Sequence, residues 1–86
     1  MDSMPVYFFH LKHSESIDED LKGISFDTLD DARSNASDTL RDLVAENLRA
    51  AQHIDISGIE ITDPSGSVVA MVSLEDAVLS RLTSEK

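Results

Sequence analysis

The 86-residue sequence contains no cysteine and no tryptophan. Without cysteine it can build neither a disulfide framework nor a thiolate zinc site. Cationic side chains are scarce: seven Lys and Arg stand against seventeen Asp and Glu, for a formal charge of −10 and a pI near 4.4. Lys12, Lys22, Arg33, Arg41, Arg49, Arg81 and Lys86 are scattered, and no two are adjacent. Binding a phosphate backbone requires a basic patch, so the sequence argues against nucleic acid as a partner. The same argument disfavours an anionic membrane surface. No apolar run approaches the ~20 residues of a membrane-spanning helix. Met1 to His10 lacks the cationic start and apolar stretch of a secretory signal, so the expected location is cytoplasmic. Asn35-Ala36-Ser37 fits the glycosylation pattern, but without such a signal it reads as coincidence.

The elements of catalysis are missing too. Gly23, Gly58 and Gly66 are isolated, so there is no glycine-rich phosphate loop, and no serine sits in a Gly-x-Ser-x-Gly elbow. The Asp30-Asp31 pair is explained by helix capping. A chain this short has little room for a deep pocket beside its core. The expectation is a protein that is not an enzyme and takes no cofactor. Asp18, Asp20 and Gly23 fall at positions one, three and six of a calcium loop. Position five is Lys22 and position twelve is Leu29, which excludes an EF-hand. His10 and His13 with the loop carboxylates offer a weaker, metal-dependent reading. Their i,i+3 spacing puts them on opposite faces of a continuing strand, so they converge only if the chain turns after Leu11. His53 reads as a residue interacting with the carbonyl end of the long helix.

What is present reads as a small α+β domain. Apolar residues make up 41% of the chain, which implies a globular protein with a thin core. Pro5 to Leu11 is a β-branched and aromatic strand that carries three of the four aromatic residues. Val6, Phe8 and His10 share one face, and Tyr7, Phe9 and Leu11 the other. Neither face is cleanly polar, so both need a cover. Lys12 to Asp27 is a polar connection with an acidic cluster at Asp18, Glu19 and Asp20. Ile24 and Phe26 alternate around Ser25, which suggests a short strand in a loose hairpin with the first, with Phe26 reaching the core.

Thr28-Leu29-Asp30-Asp31 is a helix start, with Thr28 placed to accept from the N–H of Asp31 and acids at the positive end of the dipole. The helix is expected from Leu29 to about Ala51. Leu29, Ala32, Ala36, Leu40, Leu43 and Asn47 form its apolar stripe, widened by Val44, Leu48 and Ala51. A strand from Ile54 to Thr62, a turn at Asp63-Pro64-Ser65-Gly66 and a strand from Ser67 to Val72 form a hairpin. Ser73-Leu74-Glu75-Asp76 repeats the capping pattern before a short terminal helix, which must dock to persist. The architecture expected is one long helix across one face of a small antiparallel sheet, with three main strands and a short fourth. The apolar Val68–Val72 strand is expected in the middle. The whole chain, 1–86, is read as one domain, with Met1-Asp2-Ser3 a disordered extension and Thr83 to Lys86 a frayed tail.

Three stretches together resemble a family of small uncharacterised bacterial proteins that open Met-Pro-x-Tyr-Phe-Phe. They are Met4-Pro5-Val6-Tyr7-Phe8-Phe9-His10-Leu11, the Leu-x-x-Ala-Arg-like segment Leu29-Asp30-Asp31-Ala32-Arg33, and the hairpin from Ile59 to Val69. An acidic, glycine-containing loop, here Asp18 to Gly23, lies between the first two. The likeness spans Met4 to about Ala77. It departs at His10, where the family commonly carries an acid or Asn, and at His13-Ser14-Glu15, where Asp-Gly pairs are frequent. The family is a domain of unknown function, so the resemblance implies a bacterial, cytoplasmic protein and assigns no activity or catalytic residue.

The functional expectation is therefore a non-enzymatic interaction module that forms a homodimer, with Tyr7, Phe9 and Leu11 as the self-association face. Small domains without covalent staples often gain stability by associating. The alternative is a regulatory adaptor that binds a basic protein partner through the acidic loop at Asp18, Glu19 and Asp20.

Overall fold

A computed structural model of the chain describes residues 5–50 and 54–83, with side chains described as far as Val78. Strand β1 runs from Val6 to His13, two residues beyond the apolar run that marks it in the sequence. Its far end is held because Leu11 and Lys12 pair with β2 (Ile17–Asp18), and Lys12 and His13 pair with Gly58 and Ile56 of a later strand. Strand β3 (Ile24–Ser25) returns to the start of β1, with Val6 opposite Ser25 and Tyr7 opposite Ile24. The loose hairpin expected around Ser25 is thus formed, and the N–H of Phe26 donates to the Pro5 carbonyl at 3.0 Å.

Helix α1 spans Leu29–Arg49. Thr28, in extended backbone, accepts from the Asp31 N–H at 3.1 Å, as its sequence position dictates. The helix ends at Arg49 with Ala50 as its cap. The expected extension to Ala51 and the role given to His53 fall outside the described residues. Ala32, Ala36 and Leu40 are fully buried, so the stripe is real. Leu48 corrects it: the residue is 66% exposed, so the stripe does not widen that far.

Strand β4 (Ile56–Thr62) starts two residues later than Ile54, and β5 (Val68–Ser73) completes the hairpin. In the turn, the Gly66 N–H donates to the Asp63 carbonyl at 2.9 Å. Asp63 Oδ1 accepts from the N–H groups of Ser65 and Ser67, each at 3.0 Å. Gly66 sits at φ +92°, the left-handed conformation that closes such a turn. These bonds, led by the Ser65 hydroxyl, hold the Asp63 carboxyl below its ordinary value. Helix α2 (Leu74–Thr83) follows directly, its start capped by the Ser73 hydroxyl accepting from Asp76 N–H at 3.0 Å. Thr83 is its last helical residue, so the expected tail is helical there; residues 84–86 lie outside the described range, as do Met1-Asp2-Ser3.

All strand pairs are antiparallel, and the sheet order is β2-β1-β4-β5 with β3 also on β1. The α+β architecture is as the sequence implies, but the strand order corrects it. The central position belongs to β4, and β5 lies at the edge. Apolar content reports how the two faces are covered, not which strands lie alongside. The alternating strand β4 therefore takes the middle, with Ile59 and Ile61 buried on one face and Thr62 7% exposed on the other. The core between sheet and helices is Ala32, Ala36, Leu40, Ile59, Ile61, Val72 and Ala77. Three of these are alanines, which lets α1 and α2 approach closely at little gain in apolar area. Arg41 ties the helices together by donating from Nη1 to the Ala77 carbonyl at 3.1 Å, and it also pairs with Asp38. Among the described residues no helix is long and apolar enough to cross a membrane.

Candidate functional site

Tyr7, Phe9 and Leu11 alternate onto the inner face of β1, where all three are half-buried against the core cluster. Phe9 also meets Phe26 edge to face, with ring centroids 5.9 Å apart at 76°. The chain itself covers this face, through the core cluster and Phe26.

The edge of β1 away from β4 is closed by the acidic loop. Between the residues of β1 that pair with β3 and those that pair with β2, no strand lies against that edge. Asp20 fills the gap. Its Oδ2 accepts from the Phe9 N–H at 3.0 Å, in place of a neighbouring strand's carbonyl. Its Oδ1 accepts from the N–H groups of Lys22 at 3.0 Å and Gly23 at 3.2 Å. Its own N–H donates to His10 Nδ1 at 3.0 Å. Partial burial pushes the Asp20 carboxyl up, but the three N–H donors and the nearby His10 ring outweigh it and hold the group below its ordinary value. Gly23, at φ +76°, then lays its backbone on the strand: a Cβ there would stand 2.7 Å from Val6 Cγ1 and 3.0 Å from Phe8 Cε2. Only glycine meets both demands.

The two histidines occupy separate settings. His10 Nδ1 lies 3.0 Å from the Asp20 N–H, and its Nε2 lies 2.9 Å from Thr62 Oγ1. His13 Nε2 lies 2.9 Å from Asp18 Oδ2, and its Nδ1 lies 3.7 Å from Asp55 Oδ2. Among the described residues no group of three or more His, Asp or Glu is placed to hold a metal ion. Of the predicted acidic loop, Asp20 is committed to the β1 edge and Asp18 to His13. Glu19 is exposed and lines a shallow hollow of about 400 Å³ on the outer face, with Phe8, His10, Glu60, Thr62 and Val68. His10 and Thr62, which both line it, are hydrogen-bonded to each other.

The opposite edge of the sheet differs in kind. Among the described residues no strand pairs with the outer side of β5. Val68, Val69 and Met71 are 57%, 37% and 44% exposed. Val69 is the extra residue of a bulge, since Ile61 pairs with Ala70 while Thr62 pairs with Val68. Pro64 to Leu74 is also the longest run of the chain without a charged side chain. Sequence reasoning missed this surface because it put β5 in the middle. The uncharged run was the signal that could have found it.

A family model described as a domain of unknown function, DUF6894, matches residues 6–75. That span lies just inside the stretch from Met4 to Ala77 that carries the resemblance. No curated protein and no solved structure matches the chain.

Proposed function

The chain belongs to the DUF6894 family of domains of unknown function, and we propose that it is a non-enzymatic interaction module that associates with a second copy of itself. The observation that carries this reading is β5, an edge strand with exposed Val68, Val69 and Met71 and no charge along it. Two chains of charge −10 repel one another over most of their surfaces, and an uncharged stretch is where they approach at least cost. The alanine-rich core supports the same reading, because a domain that buries little gains by covering more. The inner-face residues Tyr7, Phe9 and Leu11 serve the protomer's own core, which leaves association to the β5 side of the sheet.

Sedimentation equilibrium across the micromolar range tests this. The reading predicts a species of twice 9.4 kDa at the higher concentrations. A single 9.4 kDa species throughout would end it.

A further inference from the structure

We propose that two copies join by pairing their β5 strands antiparallel about a two-fold axis, so that the sheets run on as one through β4-β5-β5-β4. This rests on the self-association reading above and specifies its mode. A strand at a sheet edge presents a row of unpaired N–H and C=O groups, and proteins that stay apart blunt such an edge with Lys, Pro, an inward charge or a bulge. Val68–Ser73 contains no charge and no Pro. The bulge at Val69 is the one disruption, and it lies near one end, leaving Ala70 to Ser73 as regular strand.

The occupant follows from charge and symmetry. An edge read by a basic partner would carry acids, and β5 carries none. A second copy of β5 is equally uncharged and brings the same backbone groups. Antiparallel pairing of a strand with itself satisfies a closed two-fold interface, in which the same patch serves both subunits. A residue on one side of the axis lies opposite the one equally far on the other, so an axis at Ala70 sets Val69 of one copy across from Met71 of the second, where apolar cross-strand pairs add to the backbone bonds. The far edge of the sheet cannot do this, because the loop from Asp18 to Gly23 lies along it.

Lysine substitutions read by sedimentation equilibrium test the mode separately from the self-association. Met71→Lys, and independently Val69→Lys, put like charges near one another at the two-fold and should raise the dimer dissociation constant by about tenfold or more. Both sites are partly exposed in the protomer, and circular dichroism of each variant reports whether the fold is kept. Leu21→Lys, at a residue 83% exposed on the acidic loop, should leave the constant unchanged. If the dimer survives both folded β5 variants, or if Leu21→Lys dissociates it, the β5 pairing is overturned while self-association stands. If the unsubstituted chain is monomeric throughout, both fail.

Discussion

The two edges of this sheet are finished in opposite ways. At the β1 edge two short strands pair where they can, and Asp20 supplies an acceptor where they cannot. At the β5 edge there is no such device: six uncharged residues end the sheet with three apolar side chains exposed. The difference shows what the acidic loop is for structurally. An acid within a loop can close a strand edge as a neighbouring strand would, provided its carboxylate reaches the backbone N–H that the strand leaves open. Among the described residues, the edge without such an acid has no strand or loop bonded along it.

The comparison breaks most severely at Gly23. Gly23→Ala forces a Cβ into the left-handed region and against Val6, and should cost about 2–4 kcal/mol in urea unfolding. An unchanged midpoint would mean that the loop does not lie on β1. Asp20→Ala removes the acceptor for three N–H groups. It leaves that of Phe9 partly buried without a partner, at about 1–3 kcal/mol. Its signature is local, since the Phe9 amide should exchange faster while those of β4 keep their protection.

A smaller effect follows from charge. The Asp20 carboxyl is held below its ordinary value near 3.8 in the folded chain, so its ionised form contributes stability that is fully present above the unfolded value. That contribution is lost as pH falls through the lower, folded value. Thermal unfolding should therefore show a midpoint that drops on acidification below about pH 4, less steeply in Asp20→Asn than in the unsubstituted chain. Equal slopes would remove Asp20 from the account. Asp63 is lowered as well and adds to the slope in both proteins, so the difference between them isolates Asp20.

Much of this fold is legible in the sequence where the cause is local. Thr28 and Asp31, three residues apart, announce the helix start, and Asp63 to Gly66 announce the turn by bonds within four residues. Ile24 and Phe26 foretell the short strand and its core contact by alternation alone. What is not legible depends on separations that local pattern does not reach. The bond from Phe9 to Asp20 spans eleven residues and uses a backbone N–H that all residues but proline possess, so nothing in the Phe9 side chain marks it. The placing of β5 fails for a related reason. A run such as Val68-Val69-Ala70-Met71-Val72 records only that the strand carries few polar groups, and an edge strand can carry as few as a central one. The alternation of Tyr7, Phe9 and Leu11 marks a face that needs a cover, but nothing in it tells a second copy, the cover expected, from the chain's own core cluster, against which the three side chains pack.

The central claim, one edge closed by the chain and one open to a second copy, is tested most directly by amide hydrogen exchange at two protein concentrations either side of the dimer dissociation constant. The account predicts that the β5 N–H groups directed away from β4 slow their exchange at the higher concentration. The Phe9 N–H, already held by Asp20, is predicted to be protected equally at both. Outward β5 amides that exchange at one rate at both concentrations, in a chain that sediments as a dimer, would contradict it.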